Sequence, residues 1–194
     1  MKIILATQNL GKLKEFQQLS KGKNFEFIPM PEDLKEMPEE TGSTFKENAF
    51  IKAKYVSEYF EMPALADDSG LEVDALNGAP GIFSARYSSL RTDLSNSTKL
   101  LRDMKGVEKE NRTARFRCCL LGFHKGKTIC SEGTLEGEVA ESFKGDSGFG
   151  YDPIFLIPEY GLHLAEMKKE DKNKISHRFK AFEVISKSLP SLFI

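Results

Sequence analysis

The period of the apolar positions changes along the chain. Residues 2–7 (KIILAT) are an unbroken apolar and β-branched run, which predicts a buried strand. Leu13, Phe16 and Leu19 then recur at helical spacing within 11–22, with Gly22 as the expected stop. Residues 24–30 (NFEFIPM) alternate like a strand, and 31–43 (PEDLKEMPEETGS) read as an acidic loop rich in turn formers. Thr44 and Glu47 have the spacing of a capping box, so a helix is expected from 44 to about 60, with Phe45, Ala49, Ala53, Val56 and Phe60 on one stripe. PALAD (63–67) predicts a second buried strand, ending at the adjacent carboxylates Asp67 and Asp68. A helix is expected over 95–104, and successive antiparallel strands over 113–139, turning at Lys125-Gly126. DPIFLIP (152–158) reads as another strand, and Phe179, Phe182, Ile185 and Leu189 mark a helix in the tail. Helices and strands alternate at both ends around a strand-rich middle, which implies an α/β fold with a mixed sheet.

Composition narrows the partners. A chain of 194 residues with 40% hydrophobic and 29% charged residues has enough apolar material for a real core, so a disordered chain is excluded. The formal net charge of −1 supplies no global field for nucleic acid or an anionic membrane. Any phosphate must therefore be held by a local cluster of cations and backbone N–H groups. The three cysteines, Cys118, Cys119 and Cys130, have no metal-ligand spacing and read as small buried hydrophobes in a reducing compartment. Cys118 and Cys119, neighbours on a strand, point to opposite faces. The apolar part of MKIILATQN is too short for a signal peptide, and no segment approaches the ~20 apolar residues of a membrane span. The expected location is cytoplasmic.

Five stretches carry candidate chemistry. TQNLGK (7–12) joins the first strand to the first helix, where backbone N–H groups and the positive end of the helix dipole favour an anion; Thr7, Asn9 and Lys12 add polar and cationic groups. It is not a Walker A loop, because Ala6 stands where the first glycine belongs and Leu13 where Ser or Thr belongs. Glu39, Glu40, Asp67 and Asp68 offer oxygens for a hard divalent cation, with a solvated acidic loop and an Asp-rich turn as the plain alternative. Lys52 shares a helix face with Phe45 and Asn48, where a snorkelling surface lysine is the commoner outcome. GDSGFGYDPIF (145–155) brackets Phe149 with glycines ahead of Asp152, an arrangement that suits stacking on a planar heterocycle. Finally, Lys172, Lys174, His177 and Arg178 gather near the start of the last helix, with Ser176 as a candidate cap. Cations there oppose the helix dipole unless an anion is near.

Taken in order, TQNLGK (7–12), EETG (39–42), ADDSGLEVDALNGAPGIFSARYS (66–88), GFGYDPIF (148–155) and KNKISHR (172–178) resemble the inosine triphosphate pyrophosphatase family across nearly the whole chain. One departure is ESFKGDSG (141–148), where many members carry a proline before the glycine. The resemblance implies a single domain, 1–194, with a two-lobed fold around a long mixed β-sheet, flanking helices and an active-site cleft between the lobes. It implies Mg²⁺-dependent hydrolysis of ITP, dITP and XTP to monophosphate and pyrophosphate by a homodimer, with no nucleic-acid or membrane partner.

Carried over residue by residue, Thr7, Gln8, Asn9, Leu10, Gly11 and Lys12 would bind the triphosphate, and Ser69 would touch the substrate. Glu39 and Asp68 would hold the metal. Asp68 would accept the proton from the attacking water, supported by Lys12, Glu40, Lys52 and Asp67. Phe149, Gly150 and Tyr151 would border the base, with Phe149 stacking on it, while Asp152, Lys172, His177 and Arg178 would read its edge. Two rivals share these residues: a less selective nucleotide phosphatase or pyrophosphatase, and a nucleotide-binding module without turnover.

Overall fold

The computed structural model describes residues 1–31, 34 and 36–193. Glu32, Asp33 and Lys35 of the expected acidic loop, and Ile194 at the end of the expected domain, lie outside the described residues. Seven strands make one sheet: β1 (Lys2–Leu5), β2 (Glu26–Ile28), β3 (Ala64–Val73), β4 (Thr113–His124), β5 (Lys127–Val139), β6 (Phe155–Ile157) and β7 (Leu162–His163). Their order is β2-β1-β3-β4-β5-β6-β7. β1 runs parallel to β2, with Ile3 opposite Phe27, and parallel to β3, with Leu5 opposite Leu65. β6 is antiparallel to both β5 and β7. The sheet is therefore mixed, as the alternating pattern implies. The helices are α1 (Leu10–Leu19), α2 (Phe45–Phe60), α3 (Asp93–Asp103), α4 (Lys169–Ile175) and α5 (His177–Ile185).

The chain divides into two compact units, each with its own core. The first comprises 1–68, 118–133 and 178–194, and the second 69–117 and 134–177. In the first, Phe16, Phe25, Phe27 and Phe182 meet edge to face at centroid separations of 5.5–6.4 Å, packed with Ile3, Leu5, Leu65 and Leu120. In the second, Leu71, Val73, Leu100, Met104, Tyr151, Ile154, Phe155 and Leu164 form the core. No helix among the described residues is long and apolar enough to cross a membrane.

Several boundaries differ from the pattern's expectation. β3 does not end at Asp67-Asp68; it runs on to Val73, with Gly70 buried inside it and not at a turn. Local propensity disfavours carboxylates in a strand, and here tertiary cations override it. The capping box at α2 is half formed: Thr44 accepts from the Glu47 N–H at 3.1 Å, but the Glu47 carboxylate reaches Ser43 N and Oγ, both at 2.7 Å. α1 stops at Leu19 with Ser20 as its cap, one turn short of Gly22. The segment opening at Asp152 winds first as a 3₁₀ turn, Asp152–Ile154, before β6 begins. Ser176 closes the unanticipated α4, its hydroxyl donating back to Asn173 O. Cys130 is exposed and so departs from the buried reading, which Cys118 and Cys119 fit. The turn at Lys125-Gly126 is as expected: both residues have positive φ, 46° and 79°, as a two-residue hairpin requires.

Candidate active site

In the first unit, the link from β1 to α1 is built by its own side chains. Asn9 is the N-cap of α1, its Oδ1 accepting from Gly11 N at 2.8 Å and Lys12 N at 3.1 Å. Thr7 Oγ1 accepts from Asn9 N at 3.2 Å. The sequence suggested that these amides await an anion. In fact three of them are already spoken for within the turn, leaving the Thr7 O–H and Asn9 Nδ2 as side-chain donors outside those bonds. Gln8, Leu10 and Gly11 are exposed beside them.

Lys12 turns from this loop toward β3, with its Nζ 3.2 Å from Asp67 Oδ2. The same oxygen accepts from Arg178 Nε at 2.7 Å, and Arg178 Nη1 donates to Glu15 Oε2 at 3.1 Å. Cys118 Sγ lies 3.7 Å from the other Asp67 oxygen. Buried Asp67 is thus held between two cations. Arg178 is itself buried; burial opposes its charge, and Asp67 and Glu15 more than offset that cost, so it is held firmly protonated.

Next along β3, Asp68 meets Lys52 of α2. Lys52 Nζ donates to Asp68 Oδ1 at 2.8 Å, Glu40 Oε1 at 2.8 Å and Asp67 O at 3.0 Å, which uses the three donors of an ammonium group. Burial works against the Lys52 charge, but Asp68 and Glu40 overcome it and raise its pKa. Burial raises the Asp68 pKa above the ordinary carboxylate value despite the opposing pull of Lys52. Asp68 Oδ2 is buried and has no hydrogen-bond partner among the described residues. Leaving a carboxylate oxygen buried and unsatisfied is costly unless something binds it. Glu39 is exposed, and Ser69 follows Asp68 on β3. Among the described residues no three His, Cys, Asp or Glu side chains are grouped as a metal cage.

In the second unit the glycine-flanked loop is ordered by one carboxylate. Asp152 Oδ2 accepts from Phe149 N at 2.8 Å and is paired with Lys172 Nζ. Gly148, at φ +88°, has no room for a Cβ, which would collide with the Asp152 carboxylate. Gly150 N donates to Asp93 Oδ2 at 2.8 Å, and Ser97 Oγ donates to Gly150 O at 3.1 Å, so α3 fixes the loop's far side. The result presents the Phe149 ring 51% exposed, with Lys172 Nζ 5.2 Å from its centroid. Tyr151 points inward, its hydroxyl donating to Ser84 O at 2.8 Å, and burial raises its pKa. His177 is buried and stacked on Phe116, with centroids 5.1 Å apart and planes at 12°.

The structure therefore gathers Lys12, Asp67, Arg178, Lys52, Glu40 and Asp68 in one unit, and Phe149, Gly150, Asp152 and Lys172 in the other. Sequence reasoning missed Glu15, Cys118, Asp93 and Ser97. Glu15 carried no signal because its partner Arg178 is 163 residues away.

Residues 3–188 match the model of the Ham1 family. The chain belongs to the Ham1 family. It is 47% identical over 192 residues to the dITP/XTP pyrophosphatase of Listeria monocytogenes serotype 4b (strain F2365), covering 97% of this chain and 94% of that one. It is 45% identical over 189 residues to the dITP/XTP pyrophosphatase of Bacillus subtilis (strain 168), covering 96% of each. Among solved structures, a HAM1 protein from Coxiella burnetii superposes with a TM-score of 0.91 at 42% identity, covering 98% of this chain and 99% of that one. The Staphylococcus aureus Ham1 protein gives 0.88 at 37%, with the same coverage. The likeness spans the whole fold, in keeping with the ordered motifs.

For a Ham1 chain, the two clusters have distinct capacities. The first pairs a buried carboxylate of raised pKa with fixed cations, which suits proton transfer next to an anionic group. The second offers an exposed aromatic face beside a lysine and a carboxylate, which suits a planar ring with polar edges.

Proposed function

We propose that this Ham1 chain is a nucleoside-triphosphate pyrophosphatase that hydrolyses dITP, ITP and XTP to the monophosphate and pyrophosphate, removing non-standard purines from the nucleotide pool. The names carried by its full-length relatives support the activity. The observation that carries the chemistry is Asp68, one oxygen fixed by Lys52 and the other buried without a hydrogen-bond partner among the described residues. Its raised pKa brings it closer to neutral pH, where a carboxylate is a better proton acceptor.

In this reading Thr7, Gln8, Asn9, Leu10, Gly11 and Lys12 hold the triphosphate, and Ser69 touches it. Asp68 accepts the proton of the water that attacks the α-phosphorus, so the β,γ-pyrophosphate leaves. Lys52 and Glu40 keep Asp68 in place. Lys12 and Arg178 act through Asp67, whose charge they offset.

Glu39 and Asp68 are the residues that would hold Mg²⁺. The unpartnered Asp68 oxygen fits a hard cation, which takes one or two protein carboxylates and leaves its other positions to water and phosphate. When bound, the ion supplies positive charge against the phosphates.

Phe149 stacks on the purine, bordered by Gly150 and Tyr151, while Asp152, Lys172 and His177 address its edge. A 6-oxo purine offers an acceptor to the Lys172 ammonium, whereas the 6-amino group of ATP leaves that donor unmatched. The reading takes the working form to be a cytoplasmic homodimer.

The experiment is steady-state hydrolysis of dITP, ITP, XTP, ATP and GTP with Mg²⁺. Each unmatched buried polar group costs about 1–3 kcal/mol, so kcat/KM for dITP and XTP should exceed that for ATP by ~10² or more. Equal use of all five would remove the base-selective part of the reading.

A further inference from the structure

The first unit carries a second cluster of reactive side chains that the pyrophosphatase reading leaves unused. Cys119 on β4 and Cys130 on β5 lie with their sulfurs 3.4 Å apart, within thiol hydrogen-bond reach. Cys119 is only 1% exposed, whereas Cys130 is open to solvent. Cys130 also borders a cavity of about 700 Å³ lined in part by Lys46, Phe50, Thr128 and Ile129, so small reagents have a route to it. The hydrogen bond shared with Cys119 brings the Cys130 pKa down to about 7, with Lys46 assisting against the cost of burial. The same bond, with burial, pushes Cys119 up. The shared contact therefore favours negative charge on the exposed sulfur and the proton on the buried one. That division matches an attacking and a resolving thiol. Cys118, the neighbour on β4, is buried against Asp67 and is a separate group.

We propose that Cys119 and Cys130 form a reversible dithiol–disulfide site oxidised by small hydroperoxides. The Cys130 thiolate attacks the terminal peroxide oxygen, and the O–O bond breaks. The leaving alkoxide or hydroxide takes up a proton, and Cys130 becomes a sulfenic acid. The Cys119 sulfur then attacks the Cys130 sulfur. The S–O bond breaks, the Cys119 proton goes to the departing hydroxide as water, and the S–S bond forms. In sum, two thiols and one hydroperoxide give one disulfide, one alcohol or water, and one further water. A dithiol reductant restores the pair.

The test treats the full chain with one equivalent of hydrogen peroxide, blocks remaining thiols and maps the peptides by mass. The expected result is an intact chain lighter by two hydrogens, a Cys119–Cys130 cross-linked peptide, reversal by dithiothreitol, and alkylation of Cys118 alone after unfolding. Cys119→Ser should instead accumulate a Cys130 sulfenic acid that dimedone traps, and Cys130→Ser should lose the rapid reaction with peroxide. In the reduced wild-type chain, alkylation of Cys130 by iodoacetamide should follow a titration centred near 7. A chain that keeps all its thiols under excess peroxide would overturn the proposal. So would a link from Cys130 to Cys118, or one formed only between chains. The wild-type map decides the matter even if a serine variant does not fold.

Discussion

Lys52 Nζ stands 2.8 Å from Asp68 Oδ1 and equally close to Glu40 Oε1, so one cation serves two carboxylates. Removing it by Lys52→Met would leave both without that cation, one of them buried. Breaking a buried pair in this way costs about 3 kcal/mol, read as a lowered midpoint in urea denaturation. A loss below ~1 kcal/mol would place the pair with ordinary surface salt bridges. Asp68→Asn, by contrast, keeps the shape and should lower kcat by about 10²–10⁴ with a smaller change in midpoint.

Arg178 ties Asp67 to Glu15 from the first turn of α5, so its removal is first a matter of stability. Arg178→Ala removes the 2.7 Å ion pair of buried Asp67 and leaves it facing Lys12 at 3.2 Å. A destabilisation of about 3 kcal/mol is expected, visible as a lowered melting temperature. An unchanged melting temperature with altered base preference would instead make Arg178 a reader of the base.

Phe149 is exposed, and its ring contributes little to the core. Phe149→Ala should leave the melting temperature almost unchanged while raising KM for dITP. Stacking on a base is worth about 1–3 kcal/mol, so a KM increase of roughly 5- to 150-fold is expected. Unchanged KM would show that the ring does not meet the substrate.

In the second unit, Arg115 holds both oxygens of Asp74 at 2.7 and 2.8 Å, and Thr113 donates to one of them. These bonds hold the carboxyl at about 2, below its ordinary 3.8. A carboxylate whose folded pKa lies below its unfolded one adds stability above the unfolded value. That stability fades as pH falls toward the folded one. The group is largely exposed, so the contribution should be under about 1 kcal/mol. The melting-temperature difference between wild type and Asp74→Asn should therefore be constant above 3.8 and shrink toward pH 2. A difference that grew on acidification would reverse the sign.

The sequence disclosed what depends on local pattern. The Thr44 start of α2, the Lys125-Gly126 turn and the stripe from Phe45 to Phe60 follow from side-chain spacing and backbone preference. It failed at β3, where Asp67 and Asp68 read as a strand end. Lys12, Lys52 and Arg178 cancel the repulsion and allow the strand to continue, but they come from three distant segments. The same reason hid Glu15, whose role exists only once α1 and α5 are packed. Lys52 was ambiguous because a snorkelling lysine and a buried one have the same sequence spacing. Asp152 was expected to face a ligand, and the fold gives it prior partners in Phe149 N and Lys172.

In the proposed mechanism water attacks the α-phosphorus with Asp68 as proton acceptor. Hydrolysis of dITP in ¹⁸O-water with Mg²⁺, followed by mass analysis of the products, tests it most directly. Equal amounts of monophosphate and pyrophosphate are expected, with the label in the monophosphate. Label in the pyrophosphate, or release of orthophosphate, would contradict it.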